Sequence, residues 1–215
     1  CNYNCAKWCN PCYSLIMPVT INGNGTITGV SVGGLPDGIV DTDMLANGAV
    51  TAAKRGTGAI LQVVQTVKTD TFSTDHQTQV DVTGLNVSIT PTSTSNKILV
   101  TYDLNISLAN GSYQASVFLF RDSTQIYLGD TEGSRKRVSN YIMTTNDGTG
   151  HQQYYPVHGE FLDSPATTSA TTYKIQVFGH NSSGNTLMVN RSTYDADNAN
   201  VYRTVSQITA KEVAG

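Results

Sequence analysis

The stretch KILVTYDLNISL, residues 97–108, places an apolar side chain at every second position. These positions are Ile98, Val100, Tyr102, Leu104, Ile106 and Leu108. The residues between them are mostly polar. Because successive side chains of a strand point to opposite faces, the pattern predicts a β-strand with one buried face and one face toward solvent.

The same alternation recurs on both sides of this strand. It is found in residues 60–67, 78–84, 86–91, 113–120, 124–129, 137–144, 152–162, 171–179, 185–190 and 201–213. Gly84 divides two of these stretches, and turn-forming pairs such as Asn110-Gly111 divide others. About ten short strands at regular spacing, with no convincing helix, predict an all-β fold: an antiparallel β-sandwich or jelly roll.

The stretch in front of these strands is rich in glycine and poor in large apolar side chains. Residues 17–58 contain short alternating pieces such as GTITGVSV, broken by glycine every few residues. This stretch has too little apolar surface to bury a core alone, so we expect it to wind with identical copies of itself. A flexible linker is the alternative. The sequence therefore predicts an N-terminal anchor at 1–16, an extended shaft at 17–58 and a knob at 59–215.

Composition limits the possible partners. Charged residues make up 13% of the chain and the net charge is -3, which argues against a nucleic-acid-binding protein. The apolar share of 39% argues against disorder. No apolar run approaches the ~18 residues of a membrane-spanning helix. We therefore expect no nucleic-acid partner and no membrane insertion.

The N-terminal segment contains every cysteine of the chain: Cys1, Cys5, Cys9 and Cys12. The stretch KWCNPC looks like a thioredoxin active site, but such a site lies at a helix N-terminus after a buried strand. The few residues before Cys9 leave no room for that strand, so redox catalysis is not favoured.

Disulfide bonds are the favoured interpretation of the four cysteines, either within one chain or between chains. The sequence does not choose among the possible pairings. Ligation of zinc or of an iron–sulfur cluster by the thiolates stays open. Lipidation of Cys1, as in a bacterial lipoprotein, is a further alternative.

No catalytic pattern stands out in the sequence. The histidines, His76, His151, His158 and His180, are scattered without a metal-binding spacing, and there is no G-x-S-x-G motif. Asp195 and Asp197 suggest a calcium loop, but the EF-hand pattern fails and a polar loop is favoured. We therefore predict that the chain is not an enzyme and needs no cofactor.

The densest charge is a run of three cations, Arg135, Lys136 and Arg137. Guanidinium and ammonium groups bind anionic groups, such as lipopolysaccharide phosphates or an acidic partner protein. A solvated loop is the alternative. Tyr154 and Tyr155 are further candidates for ligand contact, since tyrosine rings stack on sugars, although they also suit strands and trimer seams.

Two parts of the chain resemble phage fibre proteins, especially those of phages that infect cyanobacteria. TINGNGTITGVSVGGLPDG at 20–38, followed by DTDMLANGAVTAAKRG at 41–56, resembles their shaft segments. SITPTSTSNKILVTYDLNISL, FLFRDSTQIYLG, FLDSPATTSATTYKIQVFG and SQITAKEV resemble their C-terminal knob. That knob is similar to the jelly roll of C1q and tumour necrosis factor, and the family typically assembles as trimers.

The resemblance implies an extracellular protein of a tailed-phage virion, a homotrimeric tail fibre without enzymatic activity. The N-terminus would bind other virion proteins, and the knob would attach to a host-surface glycan that acts as the receptor. One alternative is a purely architectural fibre of the capsid or baseplate. Another is an extracellular C1q-like binding module or lipoprotein.

Overall fold

The computed structural model describes residues 20–21, 27–28, 45–46, 49–51, 54–75, 78–109, 114–143, 154–180 and 186–215. The chain divides into two compact units, Cys1–Thr51 and Ala52–Gly215. In the first unit, β1 (Thr20–Ile21) pairs antiparallel with β2 (Ile27–Thr28). The second unit contains the other described strands.

The strands of the second unit form two antiparallel sheets. The first sheet consists of β3 (Ile60–Lys68), β4 (Phe72–Thr74), β6 (Lys97–Leu108), β10 (Tyr155–Asp163), β12 (Leu187–Val189) and β13 (Ser206–Val213). The second sheet consists of β5 (Val80–Ile89), β7 (Gln114–Arg121), β8 (Thr124–Ile126), β9 (Asn140–Met143) and β11 (Thr171–Gly179). This confirms the predicted antiparallel β-sandwich.

The order of the strands is that of a jelly roll. Strands β13 and β10 pair with the same residues of β6, so they lie on its two opposite edges. The long strands of the first sheet therefore run β3-β13-β6-β10, and those of the second run β5-β11-β7-β9. Early and late strands of the chain thus alternate within each sheet, as in a jelly roll.

The core lies between the two sheets. The inward residues of β6 predicted from the alternation, Ile98, Val100, Tyr102, Leu104 and Ile106, are each at most 1% exposed. They belong to one apolar cluster with inward residues of β5, β7 and β11. Removing this surface from water is the main force that holds the sheets together.

Gly84 does not end a strand. Strand β5 runs through it with φ at +79°, and its register with β11 shifts between Lys174 and Gln176. Glycine tolerates this positive φ, which forms a β-bulge and bends the strand. The expected division into two strands at Gly84 is therefore wrong.

A tyrosine crosses the sandwich. The hydroxyl of Tyr102 on β6 donates to the side-chain oxygen of Asn140 on β9, so it joins the two sheets. Gly159 pairs with Tyr102 in the register of β10 and β6. A Cβ at Gly159 would lie 2.3 Å from the ring carbon Cζ of Tyr102, so only glycine leaves room for the ring.

Two buried carboxylates accept hydrogen bonds from other parts of the fold. Asp163 on β10 accepts two hydrogen bonds of 2.9 Å from Arg121 on β7 and one of 2.7 Å from the hydroxyl of Tyr173 on β11. These bonds also join the two sheets. Burial raises the pKa of Tyr173, and its bond to Asp163 raises it further.

The second buried carboxylate is Glu212, at one end of β13. It accepts hydrogen bonds from the backbone N–H and the hydroxyl of Thr92, from the amide of Asn96 and from the amide of Gln62, at 2.6–2.8 Å. Burial by itself raises the pKa of Glu212, but these bonds outweigh burial and lower the pKa below its ordinary value.

Candidate functional site

The outward rings of the second sheet are buried along β7. On β7, Ala115, Val117 and Leu119 belong to the core cluster, so Phe118 and Phe120 point outward. Yet Phe118 is only 5% exposed and Phe120 only 8%. Residues of segment 127–139, between β8 and β9, lie beside the Phe118 ring, and the Lys174 ammonium lies 5.8 Å from the centroid of the Phe120 ring. We call this surface the covered face.

A groove of about 570 Å³ opens on the covered face. It is lined by Thr78, Gln79, Phe118, Gln125, Leu128, Arg135, Lys136, Arg137 and Phe178. Segment 127–139 supplies the cations and Leu128, whereas β7 and β11 supply the two phenylalanines. We call this site the basic groove.

The three cations of the groove are held in different ways. The ammonium of Lys136 lies 4.3 Å from the ring centroid of Phe178, a cation–π contact. Arg137 Nε donates to the carbonyl of Gly129 at 2.5 Å, which fixes the guanidinium across the segment. Arg135 forms an exposed ion pair of 3.6 Å with Glu132. Among the described residues, no carboxylate forms a salt bridge with Lys136 or Arg137.

A histidine lies beside the groove. The His180 ring makes an edge contact with Phe178, with ring centroids 4.4 Å apart. Its Nε2 lies 2.7 Å from the hydroxyl oxygen of Ser116, which is 1% exposed. Burial lowers the pKa of His180, and the nearby Lys136 ammonium lowers it further. Through an unprotonated Nε2, the neutral ring can accept a hydrogen bond from the Ser116 hydroxyl and stay fixed over the sheet.

The structure brings together only part of the predicted contact set. Arg135, Lys136 and Arg137 meet in the basic groove, whereas Tyr155 begins β10 in the first sheet and Tyr154 directly precedes it. The Tyr154 hydroxyl donates to the carbonyl of Tyr202. Tyr155 pairs with Ile106 and packs against the core. Neither tyrosine lines the basic groove.

The other candidates have structural partners or lie outside the described residues. Asp195 forms salt bridges with Arg191 and Arg203, so its carboxylate is held by two guanidinium groups within a polar loop. Within the described part of the chain, no cluster of three or more His, Cys, Asp or Glu residues is placed to hold a metal ion. The cysteines Cys1, Cys5, Cys9 and Cys12 lie outside the described residues, as do His76 and His151.

Sequence reasoning missed the aromatic part of the site. Phe118, Phe178 and His180 come from strands that the alternation predicted, but their role depends on which outer face is covered. One signal was present: β7 contains apolar side chains at five of its six positions from Ala115 to Phe120, with Ser116 as the exception. A strand that is apolar on both faces is buried on both.

The comparisons with known proteins give matches among solved structures. No protein family matches the sequence, and no curated protein does. A structure of infectious bursal disease virus, Gx strain, matches at 14% identity with a TM-score of 0.39, over 74% of this chain and 39% of the viral one. The VP2 subviral particle of the same virus matches at 15% identity with a TM-score of 0.30, over 71% and 38%.

This chain spans about two fifths of the length of those viral chains. Both matches are to viral particle structures. At this identity and TM-score the likeness does not extend to function. In the described part of the chain, no helix has the length and apolar character needed to cross a membrane.

Proposed function

We propose that the chain is a non-enzymatic attachment protein of a virion, a tailed-phage fibre whose sandwich binds an anionic host-surface glycan in the basic groove. The observation that supports this is that Arg135, Lys136 and Arg137 line one groove with Phe118 and Phe178, where the Lys136 ammonium lies over the Phe178 ring. Cations recognise phosphate or carboxylate groups, and aromatic side chains provide flat apolar surface for the rest of a ligand.

The proposal is tested by binding of the full chain to a phosphorylated lipopolysaccharide, measured by calorimetry, with the dephosphorylated form as reference. The triple variant R135S/K136S/R137S is expected to lose about a hundredfold in affinity if each cation contributes roughly 1 kcal/mol. The variant K54S/R55S/K97S removes the same charge from exposed positions outside the groove, so it is the matched control.

The outcomes of this experiment distinguish groove binding from non-specific attraction and from an architectural role. Weak binding by the groove variant alone supports the proposal. Equal loss in both triple variants indicates non-specific attraction to net charge and contradicts it. If the wild-type chain binds neither form, while intact particles infect the host, the architectural fibre becomes the better explanation.

We further propose that the chain acts as a homotrimer. The outer face of the first sheet, which we call the open face, exposes apolar side chains in register: Val63 opposes Lys211, Lys211 opposes Leu99, and Leu99 opposes Leu162. Val63 is 57% exposed and Leu162 45%. Three heads on one shaft would raise the avidity for a surface glycan through effective concentration.

The trimer is tested by the mass of the full chain in sedimentation, with and without a reducing agent. The double variant V63E/V67E is expected to weaken contact between heads, because burial of unpaired carboxylates is costly. S88E, at an exposed position of the second sheet, is the control. A three-fold mass that falls only on reduction would indicate interchain disulfides among the N-terminal cysteines. A single-chain mass under every condition would contradict the trimer.

A further inference from the structure

The basic groove does not end at Phe178. The Lys136 ammonium contacts the Phe178 ring, Phe178 contacts His180, and His180 contacts Tyr141 edge-on with ring centroids 6.2 Å apart. These contacts form a continuous line of side chains from the cations to the last tyrosine. The Lys136 charge and the Tyr141 ring are separated by only three successive ring contacts.

The backbone register explains this line. Ser116 on β7 pairs with Phe178 on β11 and with Tyr141 on β9, so all three side chains lie in one row on the covered face. Ser116 is buried and holds the His180 ring through Nε2, and the backbone N–H of His180 donates to the carbonyl of Gln114. The rings therefore project from paired strands.

The far end of this line is open to water. Tyr141 is 51% exposed, and Met143, the next outward residue of β9, is 58% exposed. Two large side chains with apolar surface thus lie together, next to a ring that is already oriented. Tyrosine on a rigid strand presents a flat apolar face and a polar tip, and it loses little conformational freedom when it binds a ligand.

We infer that Tyr141, with Met143 and His180 beside it, forms a second subsite that binds the apolar face of a sugar ring. This inference rests on the proposed function, because the same ligand would place its anionic group in the basic groove. A pyranose ring presents C–H groups on its face and hydroxyl groups around its rim, which suits an aromatic plane with a polar edge. The ligand class is therefore an acidic oligosaccharide, in which a neutral sugar follows the charged unit.

The test compares two probes by calorimetry: a phosphorylated monosaccharide and a phosphorylated core oligosaccharide of lipopolysaccharide. For the full chain, Y141A is expected to weaken binding of the oligosaccharide about five- to tenfold and to leave the monosaccharide unchanged. Y141F keeps the ring and should retain most of the affinity. Y202A removes a tyrosine that is 62% exposed elsewhere, so it is the matched control.

K136S separates failure of the subsite from failure of the groove, because it is expected to weaken both probes. If K136S weakens both while Y141A matches the wild type, the subsite is overturned and the proposed function stands. If the wild type binds neither probe, both the subsite and the proposed function are contradicted. If Y141A loses self-association but keeps its affinity for the oligosaccharide, Tyr141 contacts another copy of the chain and the subsite is overturned.

Discussion

The two outer faces of this sandwich have different chemistry although both are built from alternating strands. The open face places polar and aliphatic side chains in rows, and its Val63 and Val67 are at least half exposed. The covered face places phenylalanines at the corresponding outward positions, and Phe118 is 5% exposed.

The difference shows that an outward position on a strand is not necessarily a solvated one. The outward ring of Phe118 is buried where residues of segment 127–139 lie beside it, and the same segment brings in Arg135, Lys136 and Arg137. Covering apolar rings and supplying cations are thus two results of one connection. The open face has exposed apolar side chains, among them Val63 and Leu162.

The largest expected effect compares one outward residue from each face. F118A should lower the free energy of unfolding by about 3–5 kcal/mol, because it leaves a cavity where a large ring was buried. V63A should change it by less than about 0.5 kcal/mol, since its side chain is exposed. Urea unfolding of both variants, at dilutions where copies have separated, provides the measurement. Equal losses of unfolding free energy in F118A and V63A would contradict the difference between the two faces.

The next effect concerns Tyr102, whose side chain joins the two sheets. G159A should destabilise the protein by about 1–3 kcal/mol, because the new Cβ overlaps the ring of Tyr102, which is buried and cannot move aside. G129A is the matched control, since a Cβ there has nothing within 4 Å. Thermal unfolding measures both. A stable G159A variant would mean that the crossing tyrosine can be repacked.

An effect of similar size concerns acid, and it acts on the end of the sandwich, outside both outer faces. Glu212 has a lowered pKa in the folded chain, so the unfolded chain binds its proton first as the pH falls. Its contribution is present above its ordinary value of 4.5 and is lost as the pH falls through the lower folded value. E212Q should cost about 1–3 kcal/mol at neutral pH and lose less stability in acid. A constant difference between wild type and E212Q across this range would contradict the expectation.

The smallest effect belongs to the covered face. Because the pKa of His180 is lowered in the folded chain, the unfolded chain takes up the proton first, and stability declines slightly as the pH falls below 6.5. An NMR titration of the His180 ring, assigned with H180Q, should give a midpoint below 6.5. K136S should move this midpoint upward, because a neighbouring positive charge is removed. A midpoint that K136S leaves unchanged would contradict this, because it would mean that the Lys136 ammonium lies away from the His180 ring.

Much of the fold was predictable because strand alternation is a local property. Of the even positions in residues 97–108, the five from Ile98 to Ile106 are buried as expected and Leu108 is partly buried. The two-sheet class follows from many such stretches. Gly84 was misread because a glycine at positive φ suits both a turn and a bulge, and only the register with β11 distinguishes them. Of the candidate ligand contacts, the basic run lines a groove, whereas Tyr154 and Tyr155 lie on the other sheet. The predicted anchor, shaft and trimer remain predictions.

The sequence by itself determined which side chains alternate and where charge accumulates, because both are properties of neighbouring residues. It could not place Lys136 over Phe178 or His180 over Ser116, since these residues are far apart along the chain. The antiparallel pairing of β7 with β11 and β9 sets their positions. Tertiary structure alone therefore decided which outward face became a groove, because the space beside a sheet is filled by whichever distant segment packs there.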